Sequence, residues 1–254
     1  MESLVVLPRR PEEAAKQIIE EAERRGATVR LLGGVAFKLQ CRSTHDPRFY
    51  RENKDIDLAG RKDQIRRITE TLEYLGYRPR EVFNKLNMGE RLIYYDTVNR
   101  RRVDVFLDRF TMCHSFDLRE SLRPGTYTLP ITDLVMTKLQ VIQMTEKEYM
   151  DLIAAFTDFE VGSTEDTINA SRIAGICARD WGVYTTFRKS LASVREKAIE
   201  IGGGFSSVVA ERIDRLLARM EEEPKSLSWK LRARIGERAR WYELPEQDSD
   251  APFF

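Results

Sequence analysis

The run Asn53-Lys54-Asp55-Ile56-Asp57-Leu58 sets two carboxylates two residues apart among apolar neighbours. In a strand, whose side chains alternate, Asp55 and Asp57 share one face while Ile56 and Leu58 turn to the core. Two carboxylates on a rigid strand suit a hard divalent cation such as Mg²⁺. The spacing alone decides nothing. With sixteen aspartates in 254 residues, about one such pair arises by chance, and Asp248 and Asp250 form a second in the C-terminal tail.

The surrounding residues add weight. Upstream, Leu31-Leu32-Gly33-Gly34-Val35-Ala36-Phe37 reads as a strand ending in a glycine pair at a helix start, where bare backbone amides can approach a phosphate. Downstream, Arg102-Val103-Asp104-Val105-Phe106 offers a third acid in a strand-like run, with no evident partner for Asp104 in the sequence. A strand-to-helix turn would account for the glycines alone, and a water-facing edge position for Asp104 alone. In this order, three acids from two strands beside a phosphate cradle make a two-metal phosphoryl-transfer site. Lys138 stands out separately, because Leu134, Lys138 and Ile142 form one i, i+4 row on the apolar side of a helix. A buried ammonium there needs an anion. A carboxylate such as Asp151 would serve, or the lysine snorkels from the edge of the stripe.

Together these residues resemble a family. The order h-h-Gly-Gly-x-Ala-h, then Asp-x-Asp, then a single acid in an apolar strand is similar to the nucleotidyltransferases of the DNA polymerase beta superfamily, and within it to the AbiEii-like branch that includes the MenT toxins. That branch's Arg-x-Ser/Thr-x-Asp-x-Asp run is met by Arg51 to Asp57, with Asn53 in place of the hydroxyl residue. Its helix, with Asp/Glu-Leu-h-h-x-Lys-Leu shortly after a proline, is met by Pro130 to Leu139. Its Lys/Arg-Asp-h-x-Asp-Leu helix is met by Lys147 to Leu152, with Glu148 in place of Asp. The resemblance covers residues 28 to 156. It implies that Asp55, Asp57 and Asp104 hold Mg²⁺, or Mn²⁺ in its place, and that they are catalytic. Gly33, Gly34, Asn53, Lys138 and Asp151 would then bind the nucleoside triphosphate, with Lys138 meeting its phosphates. It further implies transfer of a nucleotidyl group to a hydroxyl such as a tRNA 3′ end, and a cognate antitoxin as partner. Two alternatives share this core: an enzyme that modifies an antibiotic such as an aminoglycoside or lincosamide, and a relative that binds nucleotide without turnover.

These residues need elements to carry them. Residues 11–25 read as a helix opened by Pro11 with Ala14, Ala15, Ile18, Ile19 and Ala22 buried, 28–32 as a strand, 35–39 as a short helix, 55–59 as a strand, and 65–75 as a helix. Residues 91–96 and 102–108 read as strands joined by a turn at Val98-Asn99-Arg100. After Pro124-Gly125 the pattern is helical, over 133–144, 146–158, 164–179, 183–201, 207–222 and 227–241. The expectation is an α/β nucleotidyltransferase core with a mixed sheet over 1–128 and an all-α helical domain over 129–254, with the site in the cleft between them.

Composition bounds the rest. The formal charge is only +1, yet residues 61–102 and 187–240 each carry +5, residues 103–186 carry −6 and the last 14 carry −4. An RNA acceptor favours basic walls and a cationic drug acidic ones, so this layout points both ways. Lys230, Arg232, Arg234, Arg238 and Arg240, with Trp229 and Trp241, form either an RNA grip or a solvated helix face. Three scattered cysteines and two histidines, His45 and His114, exclude a disulfide scaffold and a Cys/His zinc site. No apolar run approaches a bilayer span, and the N-terminus lacks a signal-peptide pattern, which predicts a cytoplasmic protein with no membrane partner. Residues 247–254 read as a frayed tail.

Overall fold

A computed structural model describes residues 6–49, 53–87 and 89–244. The Arg51 and Glu52 part of the motif, the first five residues and the C-terminal tail with Asp248 and Asp250 lie outside the described residues.

The first half is mixed α/β. Helix α1 (Pro11–Arg24) precedes strand β1 (Val29–Leu32), which passes directly into α2 (Gly33–Gln40). Strand β2 (Ile56–Gly60), α3 (Ile65–Tyr74), the two-residue β3 (Arg78–Pro79), α4 (Glu81–Leu86), β4 (Arg91–Asp96) and β5 (Arg101–Leu107) follow. These five strands form one sheet in the order β1-β2-β5-β4-β3. The pairing of β2 with β5 is parallel and the other three are antiparallel, so the sheet is mixed, as expected. The β4–β5 hairpin closes where the sequence placed it: the Asp96 carboxylate accepts the N–H groups of Val98 and Asn99 and pairs with buried Arg101. β3 and α4 were not anticipated, being too short to show a period.

A small hairpin, β6 (Arg109–Thr111) and β7 (Ser115–Asp117), leads to the helical half. There α5 (Ile131–Leu139) and α6 (Glu146–Asp158) are followed by the two-residue strands β8 (Val161–Gly162) and β9 (Ile168–Asn169). α7 (Ala170–Arg179), α8 (Trp181–Ile201), α9 (Ser206–Glu222) and α10 (Leu227–Ile235) complete it. Three expected helices are shorter than their patterns. α5 stops at Leu139 because Gln140 turns inward to accept the His114 N–H, and Thr145 with Glu148 then builds a capping box that starts α6. Ile142 therefore lies beyond α5. α7 starts at Ala170, where Asn169 accepts the Arg172 N–H as its cap. α10 ends at Ile235, where Gly236 takes a positive φ. One continuous cluster of buried apolar side chains runs through the sheet and the helices, and α2 packs on β2, α5 and α6. Residues 127–129 run alongside β1, with hydrogen bonds from the Leu31 N–H to Tyr127 O and from the Leu129 N–H to Leu31 O. Among the described residues no helix is long and apolar enough to cross a membrane.

Candidate active site

Because β2 and β5 are parallel and in register, Asp57 lies opposite Asp104 and both point to the same side of the sheet. Neighbouring strands lie about 4.8 Å apart, so two residues 47 positions apart in sequence become neighbours. Asp55 sits one residue before β2 at its exposed end and accepts a hydrogen bond from the Arg102 backbone N–H. Partial desolvation pushes the Asp55 carboxyl upward, helped by the charge of Asp104 and opposed by Arg102. Asp57 is pushed further, to about 7, by its own burial and then by Asp104, with Lys138, Asp55 and Arg91 acting after these. The three acids thus form one electrostatically coupled group. Asn53 is buried just upstream.

Asp57 also explains Gly33. Gly33 has a φ of 67°, and a Cβ built on it would overlap the Asp57 carboxylate, with Cγ at only 2.9 Å. The strand-to-helix turn is shaped to admit that carboxylate at the first residue of α2, which carries the positive end of the helix dipole. Gly34, half-buried, is the second residue of the same helix.

Two residues that sequence reasoning passed over hold Asp104. Its Oδ1 accepts the Arg91 Nε–H at 2.8 Å and an Arg102 Nη2–H at 3.1 Å, and lies 2.7 Å from Arg91 Nη2. Its Oδ2 lies 2.7 Å from Arg102 Nε. Asp104 is 3% exposed and is not the partnerless acid that its local sequence suggested. Arg102 reaches it along the same strand face, two residues away, and Arg91 reaches it diagonally across the hairpin from the position facing Phe106. The Arg91 guanidinium also lies over the Phe106 ring, 5.0 Å from its centroid, at the edge of a cavity of about 820 Å³.

Lys138 is likewise engaged. Its Nζ lies 3.2 Å from Glu148 Oε1 and 3.1 Å from Asp151 Oδ2, which is the carboxylate pairing read as one alternative from the sequence, with Glu148 added. Against its burial, the Lys138 charge and the Thr145 hydrogen bonds hold the Glu148 carboxyl below its usual range. The charge of Lys138 also acts on Asp57 and that of Lys147 on Asp55, so the end of α5 and the start of α6 lie within electrostatic reach of the strand acids.

The basic C-terminal set divides. Lys230, Arg234, Arg238 and Arg240 are exposed, beside an exposed row of Leu227, Leu231 and Ile235. Arg232 instead donates to Gly236 O and Ala239 O and lies over the Trp181 ring, while Trp229 and Trp241 pack edge-on against Tyr184 and Trp181. The two tryptophans are packing residues rather than open stacking platforms. Cys41, Cys113 and Cys177 are free and buried.

No family model matches the sequence, and no curated protein matches it. The solution structure of the antibiotic-resistance factor ANT(2'')-Ia aligns with 83% of this chain and 94% of its own length, at 12% identity and a TM-score of 0.37. That similarity is too distant to identify a family.

Among the described residues no group of three or more acidic, histidine or cysteine side chains forms a ready metal cage. The donor chemistry nonetheless suits a hard cation at Asp55 and Asp57. Both are carboxylates, and Asp57 is crowded into a cradle that a Cβ on Gly33 would fill. Asp104 joins such a set only when a guanidinium gives way.

Proposed function

We propose that the protein is a nucleotidyltransferase that moves a nucleotidyl group from a nucleoside triphosphate to an acceptor hydroxyl. The observation that carries this is the facing pair Asp57 and Asp104 on parallel strands, with Asp57 seated against the Gly33 turn at the start of α2. Mg²⁺, or Mn²⁺, would be held by Asp55 and Asp57, with Asp104 as a third donor. The bound cation supplies charge neutralisation at the reacting phosphate. The chain itself supplies the rest. Backbone N–H groups of Gly33 and Gly34 receive phosphate oxygens at the helix N-terminus. Lys138, released in part from Glu148 and Asp151, stabilises the departing pyrophosphate. The acceptor oxygen bonds to the α-phosphorus, the bond to the bridging oxygen breaks, and the acceptor proton passes to Asp104. Asn53 donates its amide to a phosphate oxygen. The resemblance to the toxin branch supplies the finer reading, a tRNA 3′ end as acceptor and an antitoxin as partner, and the exposed Lys230, Arg234 and Arg238 suit a polyanion.

The test is to incubate the protein with each α-labelled nucleoside triphosphate and Mg²⁺, in one arm with total RNA and in another with a panel of aminoglycosides and lincosamides. Label should move to one class of acceptor and should not move with Asp55→Ala or Asp57→Ala. Label transferred equally well by both variants would overturn the assignment of these acids.

A further inference from the structure

Asp104 is the member of the acidic group that the structure commits elsewhere. Both of its oxygens touch guanidinium nitrogens, at 2.7 to 3.1 Å, and the residue is almost fully buried. A carboxylate shared by two arginines is a poor donor to a divalent cation, because the cation must displace charge-assisted hydrogen bonds to reach it. The two arginines are not equivalent. Arg102 lies on the same strand as Asp104, and its backbone N–H is tied to Asp55. Arg91 comes from β4, and its side chain is about a quarter exposed. It lies over Phe106, 5.9 Å from the Phe83 ring centroid, at the wall of the 820 Å³ cavity. That cavity is lined by Glu90, Asp108, Asp117 and Glu243 as well as by Lys62, Arg109 and Arg119, with Asp117 already paired to Arg119, so a guanidinium leaving Asp104 has room to turn into a polar, charged space.

We infer that Arg91 is a displaceable counter-ion of Asp104 that competes with the divalent cation for the third carboxylate and so sets the protein's affinity for it. This rests on the nucleotidyltransferase reading of the acids and adds a residue to it. Arg91 acts through Asp104 and is a positioning residue. It keeps the three-acid cluster from binding a cation strongly by itself. Asp104 becomes available when a guanidinium moves to the cavity side.

The experiment measures Mn²⁺ binding directly, by calorimetry and by the loss of the free-ion electron spin resonance signal, with no nucleotide present. Arg91→Met keeps an apolar stem beside the phenylalanine rings and removes the two Arg91 nitrogens from Asp104 Oδ1, leaving Arg102 in place. It should bind Mn²⁺ about tenfold more tightly than the wild type, and Arg91→Lys, which has a single point charge and no fork, should fall between. Adding Asp104→Asn to Arg91→Met should return the affinity to the wild-type value. Should Arg91→Met fail to fold, Arg91→Lys alone carries the comparison. Equal or weaker Mn²⁺ binding by both Arg91 variants, in a protein whose wild type binds Mn²⁺ at Asp55 and Asp57, overturns the role of Arg91 and leaves the nucleotidyltransferase reading standing. Absence of Mn²⁺ binding in wild type and variants alike overturns both.

Discussion

The carboxylate of Asp57 fills the space that a β-carbon on Gly33 would need. The glycine of the strand-to-helix turn is therefore required by the chain's own acid, and its positive φ disfavours an L side chain independently of that overlap.

Gly33→Ala should accordingly lower stability by about 1–3 kcal/mol, read by thermal or urea unfolding. Combining it with Asp57→Gly should recover only part of that loss. The overlap is removed while the strained φ remains. Full additivity of the two substitutions would show that the carboxylate and the glycine do not interact.

Asp57 has a folded-state pKa near 7, well above its ordinary value. The folded chain therefore holds this proton more tightly than the unfolded chain. Its contribution to stability is fully present below about pH 4 and is lost as pH rises toward 7. In metal-free buffer, Asp57→Asn should raise the melting temperature at pH 7.5 by several degrees and flatten the decline between pH 4 and 7. An unchanged melting profile across that window would rule out a strained carboxylate.

Lys138→Met is the direct probe of a triphosphate contact at this lysine. The ammonium is in contact with Glu148 and with buried Asp151, so the same substitution also uncovers buried negative charge. A loss of about 3 kcal/mol is expected, partly restored by adding Asp151→Asn. Triphosphate affinity should be compared in the double variant, where a fall of roughly tenfold reports the phosphate contact.

For an RNA acceptor, Lys230, Arg234 and Arg238 changed together to Gln should weaken tRNA binding and reduce its dependence on log salt, by up to about one unit of slope per contact. Arg232 belongs outside that set. Its hydrogen bonds finish α10 and its guanidinium covers Trp181, so Arg232→Gln should lower the melting temperature without a separate effect on the salt slope.

Asp55, Asp57, Gly33 and the β4–β5 turn were legible because each depends on local spacing: alternation in a strand, a glycine pair between two patterns, and turn-forming residues between two apolar runs. The pairing of Asp57 with Asp104 was not, since parallel register is set by long-range packing and leaves no mark in either segment. Arg91 was within reach. Once the hairpin turn is placed, antiparallel register follows, with Ile93 opposite Asp104 and Arg91 opposite Phe106, one diagonal step from the acid. The alternation rule also puts Arg102 on the face of Asp104. The early stop of α5 left no local mark, because it depends on Gln140 reaching the distant His114, whereas the capping box Thr145-Glu146-Lys147-Glu148 does mark where α6 begins.

The short run at 127–129 beside β1 has a further consequence. It occupies the outer edge of that strand, joining it through the Leu31 and Thr128 bridge, while the opposite edge of the sheet is the two-residue β3, whose Pro79 has no N–H to offer. Neither border of the five-stranded sheet presents a ladder that an incoming strand could extend. Among the described residues, a partner that binds by adding a strand finds no template on this sheet.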